Sequence, residues 1–241
     1  MEMVTIIGRG HSGTRAISHT LSASGVFMGE PLNKSGDLLP PESMYEACRV
    51  MARHVTHLGG MHWDFSRLHT MPIDPAFTRL IEDYLGTVFS SDKTHRGWKI
   101  PETTLVYPWV SRLFPDLYYI FWVRDPRDCI LSGHGTDDLG RYGVTYEATD
   151  DILLQRATSW KYQVEIVKAT PVPDRLLKVR FEDFVLRQDE TLDRLSAYLG
   201  LPMAKIEARP DSVGRWKRTE EKLPDFDFLQ EEIEAYGYEG S

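Results

Sequence analysis

Residues 8–15 run Gly8-Arg9-Gly10-His11-Ser12-Gly13-Thr14-Arg15, a mixture of small, hydroxyl and cationic residues suited to holding an oxyanion. Small residues let backbone N–H groups come close to bound oxygens, and a helix starting here adds its partial positive charge. Ser12 and Thr14 contribute hydroxyl donors, and Arg9, His11 and Arg15 contribute charge. Gly8 and Gly13 also satisfy the Gly-x-x-x-x-Gly spacing of a nucleotide phosphate loop, but Thr14-Arg15 stand where that loop has Lys and then Ser or Thr. The lysine for the terminal phosphates and the hydroxyl for Mg²⁺ are therefore not both in place. A P-loop kinase of a small molecule remains the rival enzyme class, weakened by this departure. His54, His57 and His62 are the other candidates for chemistry. No carboxylate or cysteine completes a familiar ligand pattern around them, so no metal is expected.

Such a loop needs a strand behind it and a helix ahead. The near-continuous apolar run over residues 3–7 predicts a strand buried on both faces, as in a parallel sheet. Ala16, Ile17 and Leu21 then recur at helical spacing over residues 14–24. Gly and Pro mark a loop over residues 29–41. Further helices are expected over residues 42–58 (with Met44, Ala47, Cys48, Met51 and Val55 as a core stripe), 75–88, 102–113, 148–169 and 189–199, the last closing at Gly200. Strands are expected over residues 96–100, 117–123 and 176–181. The second of these is aromatic and β-branched throughout, and it runs into Arg124-Asp125-Pro126-Arg127-Asp128, where Pro126 is placed to start a helix. Alternating strands and helices indicate one α/β domain over residues 1–241 with a mainly parallel sheet, residues 137–145 being an insertion. Ligands of such sheets bind beyond the carboxyl ends of the strands.

Composition narrows the classes. The chain has 241 residues, 41% apolar and 27% charged, which is ordinary for a globular protein with a sizeable core. Its 28 Lys and Arg against 36 Asp and Glu leave a formal charge of −8. That balance argues against a general nucleic-acid binder, while a few local cations still suffice for a small anionic ligand. Cys48 and Cys129 are the two cysteines, so no disulfide framework is implied and a reducing, cytoplasmic location fits. The apolar run at the N-terminus is too short for a signal peptide, and no stretch reaches the length of a membrane span.

The loop His11-Ser12-Gly13-Thr14-Arg15 resembles the 5′-phosphosulfate loop of sulfotransferases that use 3′-phosphoadenosine 5′-phosphosulfate (PAPS). Arg124-Asp125-Pro126-Arg127-Asp128, with Ser132 eight positions after Arg124, resembles their 3′-phosphate motif. The physics agrees: an arginine at a strand end makes bidentate contacts to phosphate, and Ser132, about two turns along a helix from Pro126, approaches the same region. Gly97-Trp98-Lys99-Ile100-Pro101 is similar to the segment between these motifs. Phe181-Glu182-Asp183 resembles the family's aromatic-Glu-Asp turn, and Gly214-Arg215-Trp216-Lys217-Arg218 its C-terminal cosubstrate loop. The resemblance implies a three-layer, P-loop NTPase-like sandwich. It also implies transfer of a sulfuryl group from PAPS to a hydroxyl of a glycan or small metabolite, release of PAP, and no required metal. It implies binding of the cosubstrate by Arg9, Gly10, Ser12, Gly13, Thr14, Arg15, Arg124, Ser132, Phe181 and the 214–218 run, whose cations and indole would clamp phosphate and adenine. His11 would donate a hydrogen bond toward the bridging oxygen, Lys99 or Arg15 would supply permanent catalytic charge, and Glu102 falls close to the position of the family's base, with His62, His95 and His134 as rivals. Three departures stand out: His11 replaces the usual Lys or Arg, Ala16 replaces an adenine-stacking aromatic, and Phe181 replaces Tyr. A degenerate PAP-binding module without turnover is the non-enzymatic alternative that His11 keeps open.

Overall fold

The computed structural model describes residues 2–220, 223–224 and 226–238. Strand β1 (Glu2–Ile7) leads through the glycine-rich loop into α1 (Thr14–Ala23), as the apolar run and the spacing of Ile17 and Leu21 require. Next come α2 (Glu42–Ala52), an antiparallel hairpin of β2 (Thr56–Gly59) and β3 (His62–Asp64), and three helices, α3 (Ser66–Thr70), α4 (Pro75–Tyr84) and α5 (Gly86–Ser90). Strand β4 (His95–Trp98), a 3-10 segment over Pro101–Val106, α6 (Tyr107–Leu113) and β5 (Tyr118–Val123) follow. The remainder comprises α7 (Pro126–Ile130), α8 (Ile152–Ala169), β6 (Leu176–Arg180), α9 (Phe181–Leu186), α10 (Gln188–Leu199) and α11 (Gln230–Ala235).

The main sheet has the order β4-β1-β5-β6, and every neighbouring pair is parallel. From β1 the chain crosses to β4 on one side and then returns past β1 to β5 on the other. The order therefore reverses beside β1, and such a switch point opens a crevice beyond the strand ends. Side chains alternate between two cores. Tyr119, Phe121 and Val123 of β5 pack with Met44, Phe77, Trp109 and Tyr162, whereas Ile120 and Trp122 pack with Ile17, Leu21, Phe184 and Leu195. Helices thus cover both faces, which is why the strands read as unbroken apolar runs rather than alternating ones.

Several expected boundaries move for local reasons. The helix from residue 42 ends at Ala52 with Arg53 as its cap, because residues 56–59 pair with 62–64 around Gly59 and Gly60, both at positive φ. His57 is therefore on a strand, and His54 and His57 do not share a helix face. The expected 75–88 helix is interrupted at Leu85, and residues 101–106 adopt a 3-10 turn before the α-helix of 107–113. The long helix begins at Ile152, where the Asp151 carboxylate accepts from the N–H groups of Leu153 and Leu154. The helix opened by Pro126 ends at Ile130, so Ser132 lies just past it rather than on its second turn. Among the described residues no helix is long and apolar enough to cross a membrane, and no group of three or more His, Cys, Asp or Glu could hold a metal.

Candidate active site

The loop between β1 and α1 has the backbone of an anion cradle. His11 at φ 60 and Gly13 at φ 90 alternate with residues of negative φ, the pattern that turns successive N–H groups toward one concavity. A left-handed histidine is uncommon, and such outliers cluster at functional sites. Gly13 is also the N-cap of α1. No side chain caps that end and no acid occupies its first turn, which leaves the helix's first N–H groups and its dipole open to an anion. A Cβ on Gly13 would lie 2.4 Å from the Phe181 ring, so glycine is required by contact as well as by φ.

A cavity of about 620 Å³ opens beside this loop, at the carboxyl ends of all four sheet strands. The segment after β1 supplies Gly10, His11, Gly13, Thr14 and Arg15; that after β4 supplies Lys99; that after β5 supplies Arg124 and Ser132; that after β6 supplies Phe181. Arg124 is 5% exposed. Its guanidinium donates to the carbonyls of His11 at 3.3 Å and Ser212 at 2.5 Å and pairs with Asp128 at 3.3 Å. Its carbon lies 4.4 Å from the centre of the Phe181 ring. Its Nε is buried with no partner, an orphaned donor that a bound anion would satisfy. Ser132 Oγ accepts from Arg215 at 3.0 Å, and Arg209, Ser212 and Arg215 complete this wall. Phe181, Phe184, Val185, Ile206 and Ala208 also line the cavity and belong to one apolar cluster with Ala16. They make an apolar wall of the kind that suits a purine base.

Lys99, Asp37, Ser35, His19 and His134 line the cavity as well. Lys99 Nζ donates to Asp37 Oδ1 at 2.5 Å and to the Ser35 carbonyl at 2.9 Å. Burial pulls Lys99 below its ordinary value, against the opposing pull of Asp37. Burial, and after it the Arg9 charge, likewise hold His11 below the ordinary imidazole value. Arg15 reaches Ser35 Oγ at 3.3 Å.

Not every expected residue meets the cavity. Arg9 is buried, and its guanidinium donates twice to Asp137 Oδ1, at 3.1 and 2.6 Å, and to the carbonyls of Gly10 and Cys129. It braces the loop from behind. Ser12 is buried too: its hydroxyl donates to the Arg9 carbonyl at 2.5 Å, and its own carbonyl accepts from the Trp122 indole. Glu102 is 2% exposed and absent from the cavity wall. Its Oε1 accepts from the Tyr142 hydroxyl at 2.7 Å, and burial raises its carboxyl above the usual range. Gly214, Trp216, Lys217 and Arg218 line an adjacent cavity with Asp125, Arg127 and Glu182. There Trp216 stacks under Arg127 at 3.9 Å. Conversely, the structure brings in Asp37 and Arg209, which the motifs did not mark. Asp37 carries no local signal, being one carboxylate in a Gly- and Pro-rich loop. Arg209 lies six positions before the basic run at 215–218, and that proximity is the signal in the sequence that points to it.

A sequence model described as the sulfotransferase family matches residues 4–205, while a search of curated proteins returned no match. Two solved structures share the fold across nearly the whole chain. The sulfotransferase domain from the curacin biosynthetic pathway is 15% identical, with a TM-score of 0.61 over 99% of this chain and 98% of that one. The sulfotransferase domain from the Synechococcus PCC 7002 olefin synthase is 14% identical, with a TM-score of 0.60 over 100% and 95%.

Proposed function

The chain belongs to the sulfotransferase family, and on that premise we propose that it transfers the sulfuryl group of PAPS to a hydroxyl of a glycan or small metabolite, releasing PAP. The observation that supports this most is the convergence of Gly10, His11, Gly13, Thr14 and Arg15 with Arg124, Ser132 and Arg215 on one cavity, with an unpartnered buried donor on Arg124. Residues 206–215, beyond the matched span, complete its wall, so we read residues 1–241 as one functional unit. The free, buried cysteines fit a cytoplasmic setting.

Sulfuryl transfer resembles phosphoryl transfer, in which positioning and charge stabilisation supply most of the catalysis. The N–H groups around His11 and Gly13 would hold the 5′-phosphate, Arg124, Ser132 and Arg215 the 3′-phosphate, and the Phe181–Ala208 wall the adenine. Lys99 would offset charge that develops on the oxygen leaving sulfur. With Glu102 turned into the core, Asp37 and Glu207 are the carboxylates on the cavity wall, and Asp37, held by Lys99 and Asn33, would take the acceptor's proton. No step draws on a metal.

Titration calorimetry tests the reading. PAP should bind the wild type far more tightly than 5′-AMP. Arg124→Ala should weaken PAP by several kcal/mol and Ser132→Ala by about 0.5–1.5 kcal/mol, with 5′-AMP little affected. Saturating PAP, at about 100 times its dissociation constant, should add roughly 2.7 kcal/mol, or about 5–10 °C in the thermal midpoint. Stabilisation by ATP with Mg²⁺ and not by PAP would assign a kinase instead. Binding of PAP without turnover of labelled PAPS on a panel of hydroxyl compounds would assign a sensor.

A further inference from the structure

His134 lines the cavity, yet the chemistry above leaves it without a task. Its ring lies over Gly10, where a Cβ would come within 2.1 Å of it, and its centre is 5.5 Å from that of His11. Its orientation is set from behind. The His134 backbone N–H donates to Asp137 Oδ2 at 2.7 Å, and Nδ1 accepts from the Thr136 N–H at 3.1 Å with Thr136 Oγ1 at 3.0 Å. Asp137 is in turn held by Arg9 at 2.6 Å. An imidazole nitrogen that accepts a backbone N–H carries no proton, so the proton of the neutral ring is on Nε2. Burial first, then the charges of Arg9, His11 and Lys99, opposed by Asp37, push His134 down to about 3. The ring therefore stays neutral throughout the ordinary working range.

We infer that His134 is a further catalytic residue: a neutral, fixed Nε2–H donor to an oxygen of the sulfuryl group during transfer. The inference rests on the reading of the cavity as the PAPS site. In the step, a bond forms between the acceptor oxygen and sulfur. The bond from sulfur to the bridging oxygen breaks, and its electron pair stays on the 5′-phosphate of PAP. The acceptor's proton passes to Asp37, and His134 keeps its own. A preorganised donor of this kind stabilises charge that shifts in the transition state without having to reorient. It also adds no cation beside Arg15, Lys99 and Arg124. The same geometry excludes His134 as the base, since Nδ1 is occupied and Nε2 is protonated.

Two variants separate the donor from the cap. His134→Asn sets an amide oxygen near the place of Nδ1, keeping an acceptor for the Thr136 N–H, and removes the outer donor. His134→Gln reaches the place of Nε2 with an amide N–H and gives up the inner acceptor. The measurements on the full chain are release of PAP from labelled PAPS with the hydroxyl panel, PAP affinity, and thermal midpoint. His134→Asn should keep the wild-type midpoint and PAP affinity, lose about 10²–10³-fold in kcat, and keep the shape of the kcat–pH profile between about pH 5 and 9. His134→Gln should recover part of that loss despite a lower midpoint. A fully active His134→Asn variant would reduce the residue to a cap and overturn the inference, as would loss of one limb of its pH profile. Failure of the wild type to bind PAP is a separate outcome, which removes the cavity's reading along with the role of His134.

Discussion

Lys99 and Glu102 stand three positions apart, but they end on opposite sides of the wall that separates cavity from core. The turn through Pro101 sends the Lys99 ammonium to Asp37 and the Glu102 carboxylate to Tyr142. The Tyr142 hydroxyl and a backbone N–H hold the buried Glu102 carboxylate away from the cavity, and its titration has a defined sign. Burial raises its folded-state value above the unfolded one. The stability it contributes is thus fully present below the ordinary carboxylate range and is lost as pH rises through the raised value. Glu102→Gln should leave kcat well short of the ~10²–10⁴-fold loss of a missing base, while its thermal midpoint gains on the wild type as pH rises from 4 to 8. A collapse of kcat with an unchanged pH–stability curve would return Glu102 to the base role and displace Asp37.

At the scale of elements, the 124–128 turn does more than present Arg124. Asp128 Oδ2 accepts from the Gly214 N–H at 2.8 Å, and its Oδ1 accepts from the Trp216 N–H at 3.0 Å. Arg127 stacks on the Trp216 indole and donates to the Tyr238 carbonyl at 2.7 Å. The turn after β5 therefore clamps the 212–218 loop, and Trp216 serves as the loop's anchor while Ser212 and Arg215 face the cavity. Asp128→Ala leaves two backbone donors and Arg124 short of a partner. PAP affinity should fall by about 1–3 kcal/mol, and the amides of residues 212–218 should exchange faster with solvent. Wild-type affinity in this variant would show that the loop seats itself without the clamp.

Over the whole molecule, α11, the last helix among the described residues, packs against α8. Lys161 Nζ donates to both oxygens of Glu232 at 2.8 Å, and both residues are buried. Lys168 reaches the same carboxylate at 2.8 Å, and Leu229 and Ile233 pack on Ala157, Trp160 and Val164. Removing one member of a buried pair leaves its partner uncompensated, at about 3–5 kcal/mol. Glu165, 3.3 Å from Lys161, places this case at the lower end. Glu232→Ala should lower the thermal midpoint by roughly 6–12 °C without changing PAP affinity per folded molecule, since Glu232 is not on the cavity wall. A midpoint within a degree of the wild type would mean that apolar contacts alone dock the helix.

What the residues determined by themselves is local. The apolar runs of β1 and β5, the glycine spacing of 8–13 and the Pro126 helix start are properties of a few consecutive side chains, so the parallel sheet and the two turns that border the cavity were legible from the sequence. What only the tertiary structure decided is direction and company. Arg9 and Arg124 read alike in sequence, but one is taken by Asp137, 128 positions away, while the other lines the cavity beside Asp128 with its buried Nε unpartnered. Asp37 became a site residue because Gly36 packs on Ser18 and brings that loop to Lys99. Trp216 lies off the main cavity wall because Arg127 stacks on its indole and Asp128 holds its N–H. Periodicity specifies which face of an element is apolar, but it does not specify which distant partner a buried charge meets. Burial makes that choice energetically decisive, because a charge out of water must find its counterpart wherever the fold has placed it.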